Sequence, residues 1–287
     1  MSESAQAKAL GFRTWFLYVI IPLVIGISLS LFIPRPQIGV ITLNDAIAST
    51  TAQDMITQII YARTHPQIKA VILVLNTPGG TVTDTESVYM ELARLRQTKP
   101  VITTVEGMAA SGGYYLLSGT DYVFAKPSST IGNIGVLGYL PTPPTVIAGL
   151  YSTGPYKLWG EPQDTFIGEM EMLKQGFYHA VVLGRGSRLK APAEVILRGQ
   201  VYTGSDALRM GLIDELGSLS QAYDKAAQMA HIAHYQVIDL KKPSGVLPPA
   251  VSQASGFFQT TKDGATLSYP KDPGIYLLYV PNVEIKP

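Results

Sequence analysis

The sequence predicts an α/β domain of parallel strands and crossover helices, set behind an apolar N-terminal segment. Three observations carry this reading. From Gln37 onward, short apolar runs alternate with longer amphipathic ones, the pattern of strand and helix in turn. Gly-rich loops follow two of the apolar runs. Ahead of them, residues 15–33 hold no charged side chain.

At about 1.5 Å per residue, the 15–33 run covers roughly 28 Å, close to a bilayer core of about 30 Å. Trp15 and Tyr18 suit the interface, and the run exceeds the roughly 7–15 apolar residues of a cleaved leader. Ser28-Leu29-Ser30, a small-x-small triplet, keeps cleavage as the alternative. The expectation is a retained, single-pass transmembrane anchor over 15–33. Lys8 and Arg13 on the short side put residues 1–14 in the cytoplasm and the domain on the extracytoplasmic side of the cell membrane.

Residues 37–43 read as a strand. Residues 50–64 then carry Met55, Ile56, Ile59, Ile60 and Ala62 on a helical stripe that ends before Pro66. A strand at 70–75, the loop 76–80, a helix at 82–96 and a strand at 101–105 complete two βαβ units. The small-residue turn 106–111 leads into a short helix through Leu117, and 121–125 reads as another strand. In open α/β folds the ligand site lies beyond the carboxyl ends of the strands, where the two Gly-rich loops meet. Pro141, Pro143 and Pro144 break the pattern before a strand or turn at 146–152. Residues 163–189 are helical with interruptions near Gly184 and Gly186, and shorter helices follow at 191–197, 204–210 and 219–233. Residues 241–272 are Pro, Ser, Gly and Thr rich and linker-like, and 274–280 suit a terminal strand at a sheet edge. The domain proper is therefore 37–240, with 241–287 as a C-terminal segment.

Composition narrows the chemistry. Hydrophobic residues make up 46% of 287, enough for a substantial core, and a net charge of +1 gives no field that favours nucleic acid. The absence of cysteine excludes disulfides, thiolate catalysis and Cys-ligated metals. Of the histidines His65, His179, His231 and His234, the last two stand three apart but lack a third ligand. No metal or cofactor site is read.

In Ala109-Ala110-Ser111-Gly112-Gly113, a serine stands at a strand-to-helix turn between small neighbours. A substrate backbone can approach it closely, and the Gly112 N–H can meet a developing oxyanion. Tight helix packing explains the same residues without catalysis. The loop Pro78-Gly79-Gly80 can turn a second amide, that of Gly80, toward the same point; a tight turn into a helix is its plainer reading. It has neither a Gly-x-Gly-x-x-Gly pattern nor a Walker lysine for phosphate. A hydroxyl nucleophile needs a base, and a lysine serves only where burial disfavours its ammonium form. Lys157, between Tyr156 and Leu158-Trp159, is the leading candidate, Lys126 the competitor, and a surface lysine snorkelling beside exposed aromatics the alternative.

Asn76 to Gly80, Ala109 to Tyr115, Gly132-Asn133-Ile134-Gly135-Val136, and Val201 to Gly204 with Gly211 to Gly217 together resemble the signal peptide peptidase A family. The likeness spans about residues 41–226. It implies a ClpP/crotonase-like core of repeated ββα and βαβ units and a Ser/Lys dyad of Ser111 and Lys157. Gly80 and Gly112 then fall at the oxyanion hole. It further implies hydrolysis of membrane-associated or unfolded peptides such as remnant signal peptides, without a cofactor, in a homo-oligomer whose sites form at subunit interfaces. Two readings stand against this serine endopeptidase: a crotonase-type acyl-CoA hydratase or isomerase, and a membrane-anchored scaffold without turnover.

Overall fold

The computed structural model describes residues 15–32, 35–143, 149–246, 258–260, 266–270 and 274–280. Residues 1–36 and 37–287 form two compact units. The expected cytoplasmic segment 1–14, part of the turn at 146–152 and most of the linker-like 241–272 lie outside the described residues.

In the first unit, a π-helical turn, Phe16–Ile20, runs into helix α1, Ile21–Phe32. This corrects the expected single helix over 15–33. Pro22 has no N–H to continue the ladder, and the Ile21 N–H bonds to Phe16 five residues back. Among the described residues no helix is long and apolar enough to cross a membrane.

The second unit begins with β1 (Gln37–Leu43), α2 (Ser49–Thr64), β2 (Ile68–Thr77), β3 (Gly79–Thr81) and α3 (Val82–Arg96). β4 (Val101–Ala110), α4 (Gly112–Ser118), β5 (Tyr122–Ala125), β6 (Thr130–Gly132) and β7 (Leu137–Gly138) follow. After α5 (Gln163–Arg185) and a 3-10 turn come α6 (Ala193–Ile196), β8 (Val201–Thr203), α7 (Gly204–Met210), β9 (Glu215–Leu216) and α8 (Leu219–Met229). β10 (Gln236–Asp239), α9 (Lys241–Ser244), β11 (Phe258–Thr260), β12 (Thr266–Pro270) and β13 (Ile275–Leu278) complete the described chain.

The main sheet runs β10-β1-β2-β4-β5-β9, with β6 on the end of β4 and β8 on β6. Its ladders are parallel except for β6 with β8. β2 is buried along Ala70–Leu75, as a strand covered on both faces requires. One face receives α2 through Ala52, Met55, Ile59 and Ala62, and α3 through Val82, Val88, Leu92 and Leu95, each at helical spacing. The other face is covered more thinly by Ala222 and Ala226 of α8 over Ile38, Ile72, Ile102 and Phe124.

Two sequence expectations shift here. β2 runs to Thr77, and β4 runs to Ala110 through the segment expected as a turn. The reason is a change of partner: Ile102 to Val105 pair with β5, whereas Met108 to Ala110 pair with β6 and Ala109 also faces Thr77. The terminal strand lies not at a sheet edge but between β3 and β7, antiparallel to both. The expected break at Gly184 is absent; a Cβ there would stand 2.0 Å from the Ser118 carbonyl, so glycine lets α5 cross α4 closely. Gly186, at φ 52°, does end the helix.

Candidate active site

The end of β4 delivers Ser111 into an elbow with φ 52° and ψ −117°, a conformation that side-chain-bearing residues rarely hold. The surroundings fix it there. The Ser111 N–H donates to the Gly132 carbonyl at 2.8 Å, joining β4 to β6, and its carbonyl accepts from Tyr115 at 2.9 Å in the first turn of α4. Ser111 is 1% exposed. Among the described residues, neither its hydroxyl nor the Gly112 N–H has a hydrogen-bond partner within the chain. This leaves a nucleophile-type oxygen and a free amide side by side.

The β3 loop closes over this elbow. Gly79 has φ +101°, and a Cβ built on it would lie 1.9 Å from the Leu277 carbonyl oxygen and 2.7 Å from the Gly112 nitrogen. Gly79, Gly112 and the Leu277 carbonyl therefore converge on one point. Two buried threonines hold the loop: Thr77 Oγ1 accepts from the Gly79 N–H at 3.2 Å, and Thr85 Oγ1 donates to the Thr81 carbonyl at 2.7 Å. Gly80 is glycine for a different reason, since a Cβ there would stand 1.8 Å from the Ile47 carbonyl. Its amide faces β13. Tyr279 donates to the Pro78 carbonyl at 2.7 Å, and two residues along, Gly80 stands opposite Leu277 as the next hydrogen-bonded pair of the antiparallel ladder.

The lysines separate clearly. Lys126 is held by Glu106, through an ion pair to its carboxylate and a 3.1 Å bond to its carbonyl. Lys157 lies on an exposed turn, where Trp159 Nε1 donates to the Pro155 carbonyl at 2.9 Å and stacks obliquely on Tyr156. The apolar neighbours expected to bury Lys157 do not do so within one chain; Tyr156 and Leu158 are themselves exposed. Among the described residues no hydrogen bond or ion pair engages the Lys157 side chain. His65 stacks on Tyr61, while His179, His231 and His234 are exposed.

A buried framework that residue-by-residue reading left without a role supports the elbow from below. Arg185, 2% exposed, grips Asp214 with both terminal nitrogens at 2.8 and 2.9 Å and donates through Nε to the Gly211 carbonyl. Asp214 also accepts from the Val123 N–H and from Arg188. Tyr114, three residues after Ser111, donates its hydroxyl to the Leu212 carbonyl at 2.9 Å, and burial pushes that phenol's pKa well above its usual value. Asn133, at φ 56°, fixes the loop after β6 by donating to the Gly199 carbonyl. The Gly211 to Gly217 block of the sequence is thus a structural clamp on α4 and β5.

Parallel-sheet crossovers that end in a strained serine elbow, with a glycine loop over it, fit a ClpP-like α/β architecture. Residues 36–132 match the family model of Clp protease, and residues 153–233 that of peptidase family S49. The chain is 34% identical over 198 residues to Protease 4 of Salmonella typhi, covering 62% of this chain and 32% of that protein. To Protease 4 of Haemophilus influenzae it is 32% identical over 212 residues, 69% of this chain and 34% of the relative. Serine protease SPPA, chloroplastic, of Arabidopsis thaliana is 31% identical over 222 residues, 70% of this chain and 32% of its own length. Together these matches support the signal peptide peptidase A type of serine peptidase family for this chain, which spans about a third of the length of these three relatives. Both matched models are proteases, so the acyl-CoA hydratase or isomerase reading gives way.

Proposed function

We propose that the chain is a membrane-anchored serine endopeptidase in which Ser111 is the nucleophile, Lys157 the general base, and the Gly80 and Gly112 amides the oxyanion donors. The observation that carries this reading is the Ser111 elbow beside an unpartnered Gly112 N–H. In the reaction, neutral Lys157 takes the hydroxyl proton as Ser111 Oγ bonds to the peptide carbonyl carbon. The oxyanion is held by the two amides, and Lys157 returns the proton to the leaving amine as the C–N bond breaks. Water then attacks the ester, losing its proton to Lys157, and Ser111 is regenerated.

Lys157 reaches Ser111 from a second copy of the chain. Its exposure and, among the described residues, its lack of an intrachain partner support that arrangement, as do the exposed apolar side chains of Tyr156 and Leu158 on either side of it in the chain, which a neighbour would cover. Such a homo-oligomer admits extended, unfolded peptides, and remnant signal peptides released at a membrane fit that requirement. Anchoring by residues 15–33 draws support from side chains that are apolar on every side of the helix, Leu23, Val24 and Ile25 among them, each more than half exposed.

The test is turnover of a fluorogenic, unfolded peptide by the parent, Ser111→Ala and Lys157→Ala chains in detergent. Cleavage by the parent, with each substitution lowering kcat/KM by roughly 10⁴-fold or more, is the expected outcome. A parent that cleaves no peptide and takes up no serine-reactive probe would support the scaffold reading instead. Full activity of Lys157→Ala would assign the base to another residue.

A further inference from the structure

The two amides assigned above as oxyanion donors belong to different segments, Gly80 to the loop after β2 and Gly112 to the start of α4, and a buried side chain touches both. Thr77, 0% exposed, is the last residue of β2 and stands opposite Ala109 in the ladder with β4, two residues before Ser111. Its Oγ1 accepts from the Gly79 N–H at 3.2 Å. Its Cγ2 faces α4, where a Cβ built on Gly113 would stand 2.7 Å away from it. The hydroxyl therefore reaches the glycine loop, and the methyl packs against the first turn of the helix that Gly112 opens.

These two contacts bear on the aim and the spacing of the amides. Gly79 is held on both sides, its N–H by Thr77 and its carbonyl by the Ile47 N–H at 2.8 Å. In a trans peptide the C=O and the next N–H point opposite ways, so tying the Gly79 carbonyl to Ile47 turns the Gly80 N–H to the other side, where the reaction above needs a donor. At φ +101°, Gly79 has no side chain to restrict its rotation, and the restraint falls to its bonding partners. The methyl acts on the second amide, because it fills the space beside Gly113 and limits how closely the start of α4 approaches β2.

We propose that Thr77 is a positioning residue for the oxyanion donors: its hydroxyl aims the Gly80 amide, and its methyl sets the distance from that amide to Gly112. This rests on the Ser111 reading. Thr77→Val keeps the branched shape and removes the acceptor, leaving the Gly79 N–H buried and unpaired. In the full chain in detergent, with active sites counted by fluorophosphonate titration, Thr77→Val lowers kcat per site about 10–100-fold on a fluorogenic peptide and leaves KM within about twofold. That is less than the roughly 10²–10³ lost with a whole donor. The Ki of a peptide aldehyde, whose adduct with Ser111 places an oxygen where the oxyanion forms, rises by the same factor. Thr77→Ser keeps the hydroxyl and retains kcat within about threefold. Should Thr77→Val fail to fold, Thr77→Ala removes the same acceptor and carries the same expectation. A lower Tm and fewer titratable sites, with kcat per site and the aldehyde Ki at parent values, would make Thr77 structural only and overturn the proposal, as would a raised KM at unchanged kcat. In those outcomes the parent still cleaves, and the peptidase reading stands. A parent that neither cleaves a peptide nor takes up the fluorophosphonate fails that reading first, and the role of Thr77 falls with it.

Discussion

Gly79 and Ser111 sit at φ +101° and 52°, and their neighbours hold them there. A methyl group at 79 would meet the Leu277 carbonyl at 1.9 Å and the Gly112 nitrogen at 2.7 Å, so Gly79→Ala strains the backbone and pushes on both. Strain of about 1–3 kcal/mol predicts a Tm lower by about 2–12 °C, measured by calorimetry, with peptide cleavage lost. The elbow at Ser111 was legible in the sequence because small residues crowd a serine at a strand end. Lys157 was legible only as a type of residue in an apolar context; whether that context buries it depends on what packs against the turn, which no local pattern encodes. Gly80 was read as a donor, yet its lack of a side chain answers to Ile47, a contact between loops 33 residues apart in sequence.

At the scale of elements, β1, α2, β2, α3 and the first half of β4 followed from hydrophobic periodicity, whereas β3 fell in the segment read as a loop, and its strand pairing comes from β13 far along the chain. β4 changes partners from β5 to β6 after Val105, and pairing with a strand 22 residues on extends it past the small residues that read as a turn. β8, β9 and β10 are two to four residues long and take their structure from neighbours already in place, so their sequences carry little signal. The Arg185–Asp214 pair clamps α5 to the Gly211 block below α4. Asp214→Ala leaves Arg185 buried and uncompensated, and at about 3–5 kcal/mol it predicts a Tm lower by about 6–20 °C. Burial, aided by Glu86 and Tyr89, pushes the Tyr115 phenol up to about 12 from its ordinary 10.0. Because the fold favours the neutral phenol, this stabilisation is complete below the unfolded value and is lost as pH rises from about 10 through 12. Urea midpoints measured across that range should fall less steeply in Tyr115→Phe than in the parent.

For the whole molecule, a dyad shared between two copies would make the site a property of the assembly. Ser111→Ala and Lys157→Ala chains, each inactive alone, should regain activity when mixed through a dissociation and reassembly step, because one kind of interface then carries both intact residues. Mixtures that stay inactive while forming mixed oligomers would return Lys157 to its own chain. Removal of residues 1–36 should shift the protein from the membrane pellet to the supernatant on fractionation, with the unit 37–287 still folded by circular dichroism.

The identity of the nucleophile is the claim on which the rest depends, and mapping a fluorophosphonate adduct by peptide mass spectrometry tests it most directly. One adduct is expected, on Ser111, absent from Ser111→Ala and strongly slowed in Lys157→Ala. An adduct on a different serine, or none on a chain that still cleaves peptides, would contradict it.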